Sequence, residues 1–535
     1  MVSADQGQQG RGDPVLPGAG ARAVPRAHAL ALVAVVAGGV TLLIRLALHG
    51  RSFDLFGDEV IYTDLGRSVA SGGFPRFDGQ LFFLHPPAFF YIEAGWQRLT
   101  GSQPGLVAQI YQMRTLNALF AGATAVVLVL LAARAVGSLR AGGAAALLFA
   151  LDPFCIRQND RALLETSMML WVLLGYLVFI SLIGRPQSRR SWARAVGAGL
   201  LFGLAVLTKD EATLLTVFPL LVAAALRWGP PRALTLLAAG TTTATYAAYV
   251  AVVAANGHIG AMWEAKTSGI QRILGLVQTT GFHHAGTPSI YALLFAESNY
   301  FGMTYVVLAL AVPAVVLVHD RGGPVPRMLG LLWVVAAVTL GYAFFLGTIE
   351  EQELYLMIVP SLLILPVAAT LMGGPRPGRR RSAAGRRPGM PQTAVVTAML
   401  VVALSFNLAV CLQWLLQPDD GYAQLLQYMA AHVPAGATVT AFDGTAEDGI
   451  TQYALGDRYR VGRWVTPAAR SQEHVRYAVV PWTEILQHYS YYSPARVRSV
   501  VRKGQLLFSF RGRTYGDVTL YRLSLPPRTA GARRR

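Results

Sequence analysis

Two groups of reactive side chains lie near the N-terminal end of the chain, between two long apolar stretches. The acidic pair Asp58-Glu59 stands in "DLFGDEVIYTDLG", and His85 precedes two prolines in "FFLHPPAFFYIEAG". A carboxylate can take a proton from an attacking hydroxyl, and an imidazole can move a proton or, when charged, bind an anion. Structural roles are the alternative, because Asp commonly caps a helix and His85 could cap the helix that the two prolines begin.

Further ionisable side chains stand at the ends of later apolar stretches. Arg161 and Glu165 are four residues apart, so a helix would place them on one face, where they could form a simple ion pair. Glu165 lies within an apolar stretch, and an ionisable group in a membrane span usually faces a cavity or the interior of the bundle. Lys209, one of three lysines in the chain, directly follows another apolar stretch, where its ammonium could instead extend to the membrane surface.

The elements that carry these residues are too apolar for a water-soluble protein. Of 535 residues, 53% are hydrophobic and 14% are charged, and the mean hydropathy is +0.43. Soluble domains carry about 25% charged residues, and about 20 consecutive apolar residues are enough to cross a membrane. About eleven such stretches occur, near 28–49, 115–133, 141–156, 163–183, 194–208, 211–226, 233–255, 302–318, 328–346, 354–372 and 392–415. The sequence therefore predicts a mainly α-helical, polytopic membrane bundle of about eleven spans.

The distribution of charge predicts the side of the membrane on which each loop lies. Dense arginine clusters, among them 185–194 and 376–387, occupy alternate loops, whereas most acidic residues of the membrane region occupy the others. Because Arg and Lys accumulate in cytoplasmic loops, the clusters are predicted to be cytoplasmic and the loop at 51–114 extracytoplasmic, with two spans in 194–226. Topology explains the net charge of +18 better than nucleic-acid binding, for which the chain has no motif.

Three domains follow from this pattern. Residues 1–26 are rich in Gly, Pro, Gln and Arg and are predicted to be a disordered cytoplasmic tail. Residues 27–416 form the membrane domain, in which 51–114 is a long first outer loop. Residues 417–535 alternate helix-like and strand-like runs, which predicts a small extracytoplasmic α/β domain. Its basic, aromatic stretches "RYRVGRW" and "PWTEILQHYSYYSPARVRSVVRKG" could bind a glycan or anionic lipid, or could form an ordinary solvated face.

Five segments, in order, resemble the glycosyltransferases of superfamily C (GT-C), which include the protein O-mannosyltransferases and the bacterial lipid A aminoarabinose transferase. "FGDEVIY" resembles the Asp-Glu motif of their first outer loop, and "FFLHPPAFFYIEAG" resembles their His-Pro-Pro or Lys-Pro-Pro element. "RTLNALFAGATAVVLVLLAARAVG", "NDRALLETSMMLWVLL" and "GLLFGLAVLTKDEA" resemble the starts or cores of the second, fourth and fifth spans. The resemblance covers about residues 28–226. Farther along, "ELYLMIVPSLLILP" has Glu353 where the bacterial branch usually has a basic residue.

The resemblance implies that the chain transfers a hexosyl or pentosyl group from a polyprenyl-phosphate donor to an acceptor hydroxyl on the extracytoplasmic face of the plasma membrane. It implies that Asp58 is the general base, with inversion of the anomeric centre, and that Glu59 orients Asp58 or a cation. The remaining site residues, which would bind the substrate and its leaving phosphate, are His85, Arg161, Glu165, Lys209 and Arg272.

Several alternatives stay open. No cofactor or metal is predicted, because the His and acidic positions lack tight ligand spacing, but some relatives hold a divalent metal near the acid that corresponds to Glu165. The acceptor could be a protein, a lipid or a polysaccharide. A rival function is a non-enzymatic transporter or lipid flippase, in which ionisable residues would line a path across the membrane rather than gather at one face. A third is a structural subunit whose C-terminal domain binds a partner.

Overall fold

The computed structural model describes residues 27–50, 55–77, 79–274, 276, 298–346, 351–373, 392–442, 450–456, 458–486, 490, 492–512 and 517–524. The helices of the membrane domain are α1 (Ala27–Leu48), α2 (Gly57–Ala70), α3 (Ala88–Thr100), α4 (Leu106–Val136), α5 (Leu139–Leu151), α6 (Pro153–Asn159), α7 (Leu164–Phe179), α8 (Arg189–Thr208), α9 (Ala212–Leu215), α10 (Val217–Leu226), α11 (Arg232–Ala255), α12 (Ile259–Ile273), α13 (Ser298–Arg321), α14 (Pro324–Leu346), α15 (Tyr355–Gly373) and α16 (Gln392–Leu416). Short 3₁₀ helices cover Ile180–Leu182 and Glu351–Leu354.

The long apolar helices confirm the polytopic, mainly helical class. Within the described ranges, 9 helices are long and apolar enough to cross a membrane, or up to 10 if the bent pair α5 and α6 counts as one span. A shorter apolar segment, Ala212–Leu226, follows the break after α8. Each of the eleven predicted apolar stretches coincides with one of these elements, whereas the number of spans itself stays a prediction.

Two breaks in the helices have local causes. Asp152 separates α5 from α6, and its Oδ1 accepts a hydrogen bond of 2.9 Å from the backbone N–H of Cys155. Since Pro153 fits only the first turn of a helix, Asp152 and Pro153 together start a new helix, bent by 67° from α5. The second break is at Lys209, whose extended backbone (φ −151°, ψ 128°) ends α8. Both breaks leave polar side chains at helix ends.

The first loop is folded against this end of the bundle. Helix α2 begins at Gly57, so Asp58 lies in its first turn and does not cap it, and α3 begins directly after His85-Pro86-Pro87, as two prolines favour. Between them, strands β1 (Arg76–Phe77) and β2 (Gln80–Leu81) pair antiparallel. Helices α2 and α3 pack together over a cluster of apolar side chains that includes Leu65 and Phe90. The loop is therefore a rigid layer that holds the acidic pair at the start of α2.

The C-terminal residues form a five-stranded sheet in the order β4-β3-β5-β7-β6. Its strands are β3 (Thr438–Ala441), β4 (Arg460–Gly462), β5 (Tyr477–Pro481), β6 (Gln505–Phe510) and β7 (Val518–Arg522). Strands β3, β4 and β5 run parallel, and β7 is antiparallel to both of its neighbours. The helices of this domain are α17 (Gly421–His432), α18 (Ile450–Leu455), α19 (Pro467–Gln472), α20 (Trp482–Leu486) and α21 (Pro494–Val501).

The two faces of this sheet have different partners. One face, which includes Val479 and Leu520, shares a buried apolar cluster with Leu55 and Val60 at the start of α2. The other face packs against α20 and α21 through residues such as Val497. The α/β domain therefore lies at the same end of the bundle as the first loop.

Helices α8 and α11 cross closely because glycines on α8 let the two backbones approach. A Cβ atom added to Gly199 would lie 2.6 Å from the carbonyl oxygen of Ala238, and one added to Gly203 would lie 2.7 Å from Cβ of Thr245. The hydroxyl of Thr242 also donates a 3.2 Å hydrogen bond to the carbonyl oxygen of Gly199. Small residues at such a spacing are a common basis of helix packing in membranes.

We expect Gly199→Ala to lower the free energy of unfolding by about 1–3 kcal/mol, because the added methyl group overlaps the backbone of α11. The measurement is thermal unfolding of the purified protein in detergent. Gly197→Ala is the matched control on the same helix, since a Cβ there meets nothing within 4 Å. If the two variants unfold at the same temperature, close contact between α8 and α11 does not limit stability.

Candidate active site

Glu59 joins three segments of the chain. It is fully buried, and Arg114 donates to it from Nε and Nη2, each at 2.8 Å from one carboxylate oxygen. The backbone N–H groups of Phe56 and Ala162 also donate to it, at 3.1 and 2.8 Å. Both oxygens are therefore engaged in fixing α2 against α4 and the turn before α7. This geometry favours an orienting role for Glu59 over proton transfer.

Asp58 precedes Glu59 and stays partly exposed. The amide nitrogen of Gln352 donates to its Oδ2 at 3.2 Å. Gln352 comes from the 3₁₀ helix Glu351–Leu354, so the carboxylate proposed as the base is held between the first loop and a segment almost three hundred residues later. A partly exposed carboxylate in a fixed orientation is the arrangement that a general base needs to take a proton from a bound substrate.

Glu351 compensates the charge of two arginines. Its Oε1 lies 2.8 Å from Nε of Arg157 and 3.8 Å from Nη1 of Arg161. The amide of Gln158 donates to the same carboxylate at 3.1 Å. The guanidinium carbon of Arg161 also lies 4.5 Å from the ring centroid of Phe56. Arg161, predicted to bind the substrate, is thus held directly beside the start of α2.

Lys209 is buried among carboxylates. Its Nζ lies 2.6 Å from Oε1 of Glu165 and 3.1 Å from Oε2 of Glu211. Burial alone lowers the pKa of Lys209, but these carboxylates, with a further contribution from Glu353, raise that pKa well above its usual value. Lys209 is therefore a fixed positive charge at neutral pH.

The consecutive residues Glu351, Gln352 and Glu353 thus act on three parts of one site. Glu351 pairs with Arg157 and Arg161, Gln352 holds Asp58, and the charge of Glu353 acts on Lys209. This short polar turn is what brings the first loop, the start of α7 and the end of α8 into one arrangement.

A cavity of about 540 Å³ opens beside this arrangement, and its lining mixes ionisable and apolar side chains. The ionisable residues are His85, Lys209, Asp210, Glu211 and Lys266. Its apolar lining includes Val206, Val217, Val250 and Met262, and the lining on α11 extends from Thr242 to Val250, two turns into a predicted span. The ring of His85 stacks edge-on against Tyr62, one helical turn after Asp58, with 5.8 Å between the ring centroids. His85 therefore connects the cavity to the helix that carries Asp58.

Lys266 differs electrostatically from Lys209. It forms an ion pair with Asp210, and its Nζ donates to the carbonyl oxygen of Leu84 at 2.8 Å. Burial lowers the pKa of Lys266, although Asp210 partly opposes the shift. Its charge can therefore change at a lower pH than that of an ordinary lysine.

The ion pair with Lys209 disfavours a metal ion at Glu165. Its Oε1 is taken up by the ammonium of Lys209, and a cation beside a buried lysine would meet electrostatic repulsion. Within the described ranges, no group of three or more His, Cys, Asp or Glu side chains could hold a metal ion.

The structure brings together six of the seven predicted site residues: Asp58, Glu59, His85, Arg161, Glu165 and Lys209. The seventh, Arg272, lies on α12, but its side chain falls outside the described residues. The simple pair of Arg161 with Glu165 is wrong. Helix α7 begins only at Leu164, so Arg161 lies before it, beside Glu351, and Glu165 pairs with Lys209.

Several further residues of the site have features in the sequence that could have identified them. Arg114 begins the second-span motif, and Lys266 is one of only three lysines. Glu351 and Gln352 are polar residues directly before an apolar stretch, in the place where the sequence departs from the bacterial relatives. Only Arg157 had no distinguishing pattern beyond its position at the end of an apolar stretch.

We expect Glu59→Gln to reduce the free energy of unfolding by about 3–5 kcal/mol, because it leaves the buried guanidinium of Arg114 without a counter-charge. Asp64→Asn makes the same change on the same helix, but Asp64 pairs with Arg67, whose side chain is 51% exposed, and should cost at most about 1 kcal/mol. Thermal unfolding of both variants in detergent measures the difference. If both variants lose the same unfolding free energy, burial of the Glu59–Arg114 pair does not determine its contribution to stability.

Comparison with known proteins finds one family model and several solved structures that this chain resembles. Residues 86–256 match the family model of the dolichyl-phosphate-mannose-protein mannosyltransferases, which covers less than half of the chain. The matched segment runs from the His-Pro-Pro element to the end of α11 and includes Arg114, Arg161, Glu165 and Lys209. A sequence comparison with curated proteins finds no match.

Solved structures match over almost the whole chain. ArnT from Cupriavidus metallidurans, bound to undecaprenyl phosphate, matches with a TM-score of 0.54 and 14% identity over 93% of this chain and 98% of that one. The oligosaccharyltransferase AglB from Archaeoglobus fulgidus, in complex with an inhibitory peptide and a dolichol-phosphate, matches with a TM-score of 0.54 and 12% identity over 94% of this chain and 75% of that one. At such identities the likeness is one of fold. The long apolar helices show a multi-pass membrane protein, and its fold is similar to that of ArnT and AglB.

Proposed function

We propose that this protein transfers a hexosyl or pentosyl group from a polyprenyl-phosphate donor to an acceptor hydroxyl, with inversion at the anomeric carbon. The observation that carries the proposal is the position of Asp58. Gln352 holds its carboxylate at 3.2 Å, and one helical turn farther along α2 Tyr62 contacts His85, which lines a cavity together with two lysines.

The cavity suits a lipid phosphate. Apolar side chains of α8, α10, α11 and α12 can accept a prenyl chain, and Lys209 and Lys266 can pair with a phosphate. His85 adds a third group that is cationic when protonated. The ligands in the two similar structures, undecaprenyl phosphate in ArnT and dolichol-phosphate in AglB, belong to the same chemical class.

In the proposed reaction, the acceptor oxygen attacks the anomeric carbon while Asp58 takes the hydroxyl proton. The new carbon–oxygen bond forms as the bond from the anomeric carbon to the phosphate oxygen breaks, and polyprenyl phosphate leaves with the electron pair. The charge that develops on this phosphate faces Lys209 and Lys266. General-base catalysis contributes about 10²–10⁴-fold in rate, and positioned cations often contribute more. The transfer balances without a redox cofactor.

We further propose that the site faces the extracytoplasmic side of the plasma membrane. The arginine clusters between apolar stretches support a cytoplasmic N-terminus, since basic loops stay on the cytoplasmic side. The α/β domain would then be extracytoplasmic, because it packs on the start of α2 at the same end as the site.

We expect Asp58→Asn to lower transfer by at least about two orders of magnitude, because the amide cannot accept the hydroxyl proton. The assay follows radiolabelled sugar from polyprenyl-phosphate sugars into a product in membranes that contain the protein. Asp64→Asn, on the same helix and paired with Arg67, is the matched control and should keep near-normal transfer.

Two results would contradict the assignment. Near-normal turnover in a folded Asp58→Asn variant removes Asp58 from the chemistry. Label that crosses the membrane but stays on the donor lipid in the unmodified protein would instead identify a transporter or flippase.

The second expectation concerns Lys266 and pH. Because burial lowers the pKa of Lys266, its ammonium loses the proton at a lower pH than a free lysine, so affinity for a lipid phosphate should fall as the pH rises through that value. Lys266→Arg should keep its affinity over the same range, since a guanidinium stays charged. Lys266→Met should bind weakly at every pH.

The measurement is a titration of the purified protein with undecaprenyl phosphate at a series of pH values between about 7 and about 10. Lys503→Arg, an exposed lysine of the α/β domain, is the control and should follow the unmodified protein. Identical pH profiles for the unmodified protein and Lys266→Arg would show that Lys266 does not contact the phosphate.

A further inference from the structure

The α/β domain has a groove of its own, apart from the active site. It has a volume of about 830 Å³, and we call it the Trp482 groove after the aromatic residue in its wall. Its other principal lining residues are Leu486, Arg498, Arg502 and Tyr521. These residues include part of the basic, aromatic stretch whose role the sequence left open.

The fold fixes the side chains of this groove. Helix α21 is capped by Ser493, whose hydroxyl accepts a hydrogen bond from the backbone N–H of Arg496. The helix buries Val497 and Val500 against the sheet, so Arg498 and Arg502, four residues apart, lie together on its outer side. The guanidinium carbon of Arg498 lies 5.9 Å from the ring centroid of Trp482, which holds the aromatic and basic walls together.

The groove carries positive charge that is not neutralised. Arg498 and Arg502 are both exposed, and neither forms an ion pair with a carboxylate in the part of the chain that the structure describes. Arg460, elsewhere in the domain, does pair, at 2.7 Å from Glu473. The acid of α20, Glu484, is buried rather than directed to the surface. An anion in the groove would therefore find two guanidinium groups ready to bind it.

The lining chemistry distinguishes among anions. The half-exposed rings of Trp482 and Tyr521 offer flat apolar faces, against which the C–H face of a sugar ring can lie. Arginine binds carboxylate and phosphate through two parallel hydrogen bonds. A ligand that contacts both the aromatic rings and the arginines would have sugar rings that carry carboxylate or phosphate groups.

The position of the groove argues against a membrane surface as its partner. The Trp482 groove lies on the face of the sheet that packs against α20 and α21. The opposite face packs on the membrane domain through Leu55 and Val60. A whole sheet therefore separates the groove from the bundle.

We propose that the Trp482 groove binds an acidic glycan, and that it is a carbohydrate-binding site separate from the active site. The proposal concerns binding alone and does not depend on the transfer reaction. A site of this kind would keep an acidic polysaccharide close to the membrane protein.

The test uses the full chain in nanodiscs of zwitterionic lipid, titrated calorimetrically with hexagalacturonic acid and with a phosphorylated mannan oligosaccharide. Maltohexaose is the neutral comparison. We expect at least one acidic oligosaccharide to bind and maltohexaose not to bind. The double variant R498A/R502A should weaken that binding by about tenfold or more, because two charge-assisted contacts are lost. Trp482→Leu should weaken it as well.

Arg496→Ala is the matched control. Arg496 is on the same helix and exposed, but it does not line the groove and instead lies near Arg470, whose pKa is lowered by burial and by this neighbour. Arg496→Ala should bind within about twofold of the unmodified protein, in keeping with the weak effect of a distant exposed charge. Thermal unfolding of every variant separates lost binding from lost folding.

Three results would overturn the proposal. Failure of both acidic oligosaccharides to bind the unmodified protein is the first. Equal loss of affinity in Arg496→Ala and in R498A/R502A is the second, because it indicates diffuse charge rather than a groove. The third is co-flotation with phosphatidylglycerol vesicles that depends on Arg498 and Arg502, in place of glycan binding, which would identify a membrane contact.

Discussion

Four buried basic side chains form ion pairs with carboxylates at one end of the helical bundle, and these pairs organise that end. They are Arg114, Arg157, Arg161 and Lys209. A fifth buried cation, Arg45, instead donates to the carbonyl oxygens of Phe149 and Ala150 and to the side chain of Asn159. An unpaired buried charge is strongly destabilising, so each of the four needs its carboxylate. These carboxylates come from distant segments, because Glu59 lies in the first loop and Glu351 precedes α15. The ion pairs therefore fix the relative positions of these segments, which apolar packing alone would not specify.

The residues proposed to react are held as neighbours of these ion pairs. Asp58 is adjacent in sequence to Glu59, and Gln352 lies between Glu351 and Glu353. Asp58 and Gln352 are thus each held in place by a sequence neighbour whose carboxylate forms an ion pair. Asp58 itself stays partly exposed. This division resembles a general requirement of active sites, in which a reactive group gains its orientation from a surrounding shell that does not react.

The sequence predicted the local features of the fold and few of the pairings. Apolar stretches and the His-Pro-Pro helix start are local patterns, so α1, α3 and the later spans were predicted, although polar residues such as Gln109 concealed the true start of α4 at Leu106. Strand β4 has only three residues, which is too few to show the alternation of apolar and polar side chains that predicts a strand. The pairing of Arg157 with Glu351 joins positions 194 residues apart, and its existence depends on the packed bundle rather than on any spacing. The role of Arg114 was visible only through its motif.

The apolar contact between the sheet and the first loop has a consequence for biogenesis. Leu55 and Val60, which flank Asp58, are covered by residues as late as Leu520. A chain that emerges from the ribosome N-terminus first therefore leaves this apolar patch uncovered until the strand that contains Leu520 has been synthesised. A prematurely terminated chain would keep that apolar patch exposed, and quality-control factors could recognise it. Synthesis of the sheet and shielding of the helix that carries Asp58 are thus the same event.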